Sequence, residues 1–148
     1  MVKPAKKTIV ICSSGAFYEH ANQVARELKE LGFNAVVPAT ARQMEESGDY
    51  DIMKIKTWYK DTNDTHIKIG KMRGHFDEVA KGDAILLIND DKPGRLKYIG
   101  PNGFMEWGLA AYQGKPVYIL NQVPKDALYW EEALTATVID GDLSKIKF

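Results

Sequence analysis

A single carboxylate stands in the most informative segment of the chain, residues 98–110. The segment reads Tyr-Ile-Gly-Pro-Asn-Gly-Phe-Met-Glu-Trp-Gly-Leu-Ala, and its acid is Glu106. Pro101 and the glycines predict a loop, Asn102 is a residue type that caps helices, and Glu106 would then lie in a first helical turn. A carboxylate held beside a sugar can attack or stabilise its anomeric carbon. The helix dipole also favours an acid in a first turn, so this position alone does not establish catalysis.

A second segment with binding chemistry is the turn Ser13-Ser14-Gly15, which ends a β-branched run at residues 8–12. Its hydroxyls and backbone N–H groups precede a helical pattern, and that geometry suits a phosphate or a sugar hydroxyl. Serine and glycine also end strands where no ligand binds, and the sequence leaves both interpretations open.

The elements that must position these residues follow from the hydrophobic pattern. Apolar runs predict strands at residues 8–12, 33–37, 84–88, 116–120 and 135–139. Helical spacing predicts helices near 21–31, 65–81, 102–113 and 125–134, one or two helical turns at 41–46, and a short helix at 51–59. Strands that alternate with helices predict an α/β fold. We expect one domain over residues 1–148, a three-layer, doubly wound, five-stranded parallel sheet of flavodoxin-like arrangement.

In such a sheet the loops after the first and third strands lie side by side. The third strand is followed by Asn89 and Asp90, and the chain then leads into the helix of Glu106. We therefore expect Asn89 and Asp90 to meet the Ser13 turn, and the Asn102-Gly103 loop, at one rim of the sheet.

Composition limits the classes of partner. The chain has 148 residues, with 20 Lys plus Arg against 20 Asp plus Glu, and this zero net charge argues against binding to a nucleic-acid polymer. Cys12 is the only cysteine, which excludes an internal disulfide and fits a cytoplasmic location. No signal peptide or membrane-spanning run is predicted, so we expect no membrane partner.

Other side chains have simpler interpretations. Cys12 is expected to be packed, and the histidines show no metal-ligand spacing, so they are interpreted as surface or core residues and no metal site is predicted: His20, His66 and His75. Trp58 and Tyr59 fit either a lid that stacks on a base or a core or interface role.

A run of basic residues in the middle of the chain is interpreted as a solvated face in preference to a polyanion site. Its members are Lys54, Lys56, Lys60, Lys68, Lys71 and Arg73.

The chain resembles the nucleoside 2-deoxyribosyltransferase-like superfamily, which includes the deoxynucleoside 5′-monophosphate N-glycosidases. The residues that carry the resemblance are Glu106, Gly108 and Ala110, which match a Glu-x-Gly-x-Ala pattern, and residues 114–117, which read Gly-Lys-Pro-Val. The first-strand loop and the third strand also fit, so the resemblance covers most of the chain.

The resemblance implies cleavage or transfer of an N-glycosidic bond, with Glu106 as the nucleophile and a covalent sugar intermediate. It places Asn89 and Asp90 near the base. Ser13, Ser14 and Gly15 would hold phosphate or sugar, and Asn102 and Gly103 would lie beside the sugar. It further implies a small-molecule nucleoside or nucleotide partner, a homo-oligomer and no cofactor.

Three departures from the family pattern leave alternatives open. The family has an aspartate where this chain has Asn89, another where it has Gly100, and a first-strand tyrosine where it has Val10 and Ile11. A non-catalytic nucleotide-binding or sensing module is therefore an alternative. A ribonucleotide phosphoribohydrolase is another, because Pro101-Asn102-Gly103 loosely resembles the loop of that family.

Overall fold

The computed structural model describes residues 2–148, which fold around a five-stranded sheet. The strands are β1 (Thr8–Ser13), β2 (Asn34–Val36), β3 (Ala84–Ile88), β4 (Val117–Ile119) and β5 (Thr137–Val138). All neighbouring strands are parallel, and their order is β2-β1-β3-β4-β5. This is the order of flavodoxin-like doubly wound sheets, so the predicted fold class is confirmed.

Helices cover both faces of the sheet. They are α1 (Tyr18–Glu30), α2 (Ala39–Ser47), α3 (Thr65–Lys81), α4 (Pro101–Tyr112) and α5 (Trp130–Ala133). Helix α1 packs on one face, whereas α3, α4 and α5 contribute to the core on the other. No helix within residues 2–148 is both long enough and apolar enough to cross a membrane.

Successive side chains of β1 enter the two buried layers in turn. Ile9 and Ile11 pack with α1, whereas Val10 and Cys12 pack in the layer of α3 and α4. Because both faces are covered, the strands are continuous apolar runs, and each large aliphatic side chain contributes about 1.5–3 kcal/mol on burial. The alternation places Cys12 on the same side of the sheet as Glu106.

Residues 48–64 join α2 to α3 through short 3-10 turns, and the short helix predicted at 51–59 is not formed. The turns are Ile52–Lys54, Thr57–Tyr59 and Thr62–Asp64. The side chains of Asp51 and Asp61 accept hydrogen bonds from the backbone N–H two residues further on, at 3.1 and 2.9 Å. Such local bonds compete with a continuous helix and begin a new turn each time.

Helix α4 begins at Pro101, and Gly100 is its N-cap residue, so the prediction that Asn102 caps the helix is wrong. Proline suits the first helical position because the N–H that it lacks has no partner there. Glu106 consequently lies beyond the first turn, contrary to the prediction. The helix dipole acts mainly within the first turn, so it does not explain this acid.

The last helix and the last strand are shorter than the sequence pattern predicts. Helix α5 has only four residues, and the chain before it forms tight turns in which the N–H of Ala127 donates to Pro124 and that of Trp130 to Ala127. Strand β5 is two residues long and lies at the edge of the sheet.

Candidate functional site

A cavity of about 620 Å³ lies beside the carboxyl end of β1, with α3 and the start of α4 in its walls. Its lining contains six of the residues that the sequence predicts for the site: Ser13, Ser14, Gly15, Asn102, Gly103 and Glu106. The short turns within residues 52–59 form a further wall. The first-strand turn and the helix of Glu106 therefore meet at one cavity.

The Glu106 side chain lines this cavity although the residue is buried, with only 5% of its surface exposed. Burial raises the pKa of the Glu106 carboxyl above its ordinary value. The neighbouring His75 ring and Cys12 thiol act in the opposite direction without cancelling that effect. A carboxylate in this position is poorly solvated, which is the environment in which perturbed catalytic groups are found.

His75 on α3 connects Glu106 to a second carboxylate. Its Nε2 lies 3.8 Å from Oε1 of Glu106, too far for a hydrogen bond. Its Nδ1 lies 3.3 Å from Oε2 of Glu78, and Arg42 donates to the other oxygen of Glu78 at 3.2 Å. Burial alone would raise the pKa of Glu78, but the hydrogen bonds from His75 and Arg42 outweigh it and lower that pKa. Glu78 and Arg42 thus fix the ring that faces Glu106.

Cys12 is fully buried and lies next to Glu106, on the face of the sheet that α3 and α4 cover. Burial, and then the charge of Glu106, raises the pKa of the Cys12 thiol well above its usual value. Such a thiol is a poor nucleophile at neutral pH. Its sulfur, a ring nitrogen of His75 and a carboxylate oxygen of Glu106 all lie within 4.8 Å of one another.

Tyr18, the first residue of α1, also lines the cavity. Burial, and then the charge of Glu106, raises the pKa of the Tyr18 hydroxyl, so this group stays protonated at neutral pH. The family pattern has its tyrosine on the first strand. Here Tyr18, on the helix that follows, lines the same cavity as Glu106.

Local hydrogen bonds define the Ser13-Ser14-Gly15 turn. The Ser13 hydroxyl donates to the Ser14 carbonyl at 3.1 Å, and the Ser14 hydroxyl accepts from the Ala16 N–H at 3.4 Å. A Cβ on Gly15 would lie 2.7 Å from Cγ1 of Ile52. Glycine at this position therefore lets the turn at residues 52–54 close against the loop.

Asn89 and Asp90 do not lie in the cavity lining. The Asn89 amide donates to the Asn121 carbonyl and the Tyr129 hydroxyl, at 3.2 and 3.1 Å, and its oxygen accepts from the Asn121 N–H at 2.8 Å. Asp90 lies 2.5 Å from Nδ1 of His20 and accepts from the Asn121 side chain at 3.0 Å. Both side chains tie neighbouring loops together, and the structure does not bring them together with Glu106.

Three lysines of the basic run line the cavity: Lys56, Lys68 and Lys71. They are half-buried, and the other members of the run are exposed. Burial lowers the pKa of Lys68 and of Lys71, and the charge of Lys56 lowers that of Lys68 further. No carboxylate within residues 2–148 forms an ion pair with any of the three. Their charge is therefore available to an anion.

Trp58 and Tyr59 belong to the same wall of the cavity. The ammonium group of Lys68 lies 5.7 Å from the centre of the Trp58 ring, within the range of a cation–π contact. Tyr59 is 67% exposed. An aromatic and cationic surface of this kind offers contacts to a base and to a phosphate.

The sequence interpretation missed His75, although one signal was available. His75 lies four residues before the buried Val79 and four after Lys71, so helical spacing puts all three on neighbouring positions of α3. Its pairing with Glu106, 31 positions later in the chain, leaves no local pattern.

Comparison with solved structures finds a likeness in chain fold. No family model matches the chain, and no curated protein matches it. A solved structure described as a 2-desoxiribosyltransferase from Leishmania mexicana is similar, with a TM-score of 0.49 and 19% sequence identity. The match covers 80% of this chain and 67% of that one. It is a likeness between chain folds, and no residue role is transferred from it.

Proposed function

We propose that the protein cleaves the N-glycosidic bond of a nucleoside 5′-monophosphate, preferably a deoxynucleotide, with Glu106 as the nucleophile. The observation that carries this proposal is the buried Glu106 carboxylate, which opens into a cavity shared with the Ser13-Ser14-Gly15 turn. Such a cavity excludes water from the carboxylate while admitting a sugar.

The chemistry consists of two displacements at the anomeric carbon. A Glu106 oxygen bonds to C1′ as the bond from C1′ to the base breaks, and the base leaves with the electron pair and acquires a proton. Water, or a second base, then attacks C1′ and frees the carboxylate. Tyr18 is proposed to orient the nucleophile, because it lines the cavity into which Glu106 opens.

Phosphate recognition is proposed for the Ser13-Ser14-Gly15 turn together with Lys56, Lys68 and Lys71. The turn offers backbone N–H groups beside the start of α1, and the lysines supply positive charge that no carboxylate within residues 2–148 pairs with. These groups support a nucleotide over an uncharged nucleoside. The prediction that Asn89 and Asp90 contact the base stays a prediction, and the hydrogen bonds of their side chains lend it no support.

The decisive experiment incubates the protein with deoxynucleoside and ribonucleoside 5′-monophosphates and measures free base by chromatography. We expect Glu106→Gln to reduce release by more than about 1000-fold, because the nucleophile is removed. Glu46→Gln changes an exposed glutamate on α2 and should leave release unchanged. Release at the parental rate by Glu106→Gln would contradict the mechanism.

A non-catalytic nucleotide-binding module is the second candidate. It is favoured by Asn89, an amide where the family has an aspartate, because hydrogen bonds to Asn121 and Tyr129 hold its side chain outside the cavity lining. Binding of a monophosphate without base release would support this module. A faster reaction with ribonucleotides than with deoxyribonucleotides would instead support a phosphoribohydrolase.

A further inference from the structure

We propose that Cys12, His75 and Glu106 form a binding site for one divalent transition-metal ion such as Zn²⁺. This site goes beyond the proposed function, which requires no metal.

The three side chains come from different elements and converge in one buried place. Cys12 is on β1, His75 is on α3 and Glu106 is on α4, and all three are buried. Their ligating atoms lie within 4.8 Å of one another. Thiolate, imidazole and carboxylate are all zinc ligands, and the presence of sulfur disfavours Mg²⁺ and Ca²⁺.

The His75 ring is held as metal-ligating histidines are held. With its proton on Nδ1, the ring donates to Glu78, which itself accepts from Arg42. Nε2 then presents its lone pair towards Glu106, and within residues 2–148 this buried nitrogen has no hydrogen-bond partner. In zinc sites, the ring nitrogen of the histidine that does not bind the metal commonly donates its hydrogen bond to a carboxylate.

The distance between the nitrogen and oxygen ligands needs little adjustment. Two nitrogen or oxygen ligands of a tetrahedral Zn²⁺ are about 3.3 Å apart, and Nε2 of His75 lies 3.8 Å from Oε1 of Glu106. His75 and Glu106 also line the cavity, whereas Cys12 does not. A fourth ligand, such as water, would therefore come from the cavity side.

A metal ion bound at this site should inhibit base release. The ion displaces the thiol proton to solvent and engages a Glu106 oxygen, which removes the electron pair that would attack C1′. Zn²⁺ should therefore inhibit base release reversibly, and a chelator should restore it.

The test uses the full chain, stripped with a chelator and titrated with Co²⁺ and with Zn²⁺ in the absence of substrate. Because Cys12 is the only thiol, bound Co²⁺ should give a thiolate charge-transfer band, and equilibrium dialysis should give one Zn²⁺ per chain. Co²⁺ saturation without that band in the parental protein would overturn the site, whatever the variants do.

Variants then assign the ligands. Cys12→Ser and His75→Gln should each weaken Zn²⁺ binding by at least about 10-fold. His66→Gln, which changes an exposed histidine, should leave it unchanged. Equal Zn²⁺ affinity in His75→Gln and the parental protein would refute the proposal. Because the measurement needs no turnover, it stands apart from the outcome of the base-release experiment.

Discussion

The Glu106 carboxyl owes its chemical character to the groups packed around it. Its place in a helix was predictable from Pro101 and the glycines, but the pKa of its carboxyl was not, because burial raises that pKa while His75 and Cys12, from distant parts of the chain, lower it. The same limit applies to Asn89, whose place after β3 was predicted correctly while its side chain turns to Asn121. Residue types indicate possible chemistry, and only packing selects among them.

Lys68 provides a test of phosphate recognition at the level of one charge. We expect Lys68→Met to raise KM for a nucleoside 5′-monophosphate by about 10-fold, since one charge-assisted hydrogen bond is lost. KM for the corresponding nucleoside should change little. Lys60→Met removes an exposed lysine of the same run and serves as the control. An equal change of KM for both substrates in Lys68→Met would argue against a phosphate contact.

Helices and strands were predictable where the pattern is long and continuous. Strands β1 and β3 are apolar on both faces, and the helical face of α3 is clear, so these elements form close to the expected bounds. Residues 48–64 and the region before α5 were mispredicted, because aspartates and Pro124 set local turns that override helical spacing. One wall of the cavity is formed by residues 52–59, which belong to the first of these two regions.

Two glycines of α4 should respond in opposite ways to alanine. A Cβ on Gly103 would lie 2.8 Å from Cγ2 of Ile99, whereas a Cβ on Gly108 would meet no atom of residues 2–148 within 4 Å. Gly103→Ala should lower the free energy of unfolding by about 1–2 kcal/mol through overpacking. Gly108→Ala should raise it by about 0.5–1 kcal/mol through helix propensity. Urea denaturation measures both, and stabilisation by Gly103→Ala would disprove the close approach.

The whole molecule was the easiest scale to predict and its site the hardest. Alternating strands and helices, with right-handed crossovers, leave few topologies, and the observed strand order is among the commonest. The site instead depends on Cys12, His75 and Glu106, which are far apart in the sequence, lying close together in the folded chain. Such a meeting follows from the completed fold and not from any local pattern.

The homo-oligomer stays a prediction, and a surface groove suggests how to test it. The groove has a volume of about 460 Å³ and includes Phe104, Trp107 and Leu128, and Leu128 is 90% exposed. We expect sedimentation to give at least a dimer at micromolar concentration, and Leu128→Glu to shift it towards monomer. Leu134→Glu changes an exposed leucine outside the groove and is the control. A monomeric parental mass would contradict the prediction.

The seclusion of the only sulfhydryl has a practical consequence. Cys12 has no exposed surface, so an alkylating reagent can reach it only when α3 or α4 lifts from β1 or when the chain unfolds. The rate at which the Cys12 sulfur is labelled therefore measures how often these helices move away from β1 or the chain unfolds. Any ligand that clamps those two helices together lengthens the lifetime of the unlabelled protein.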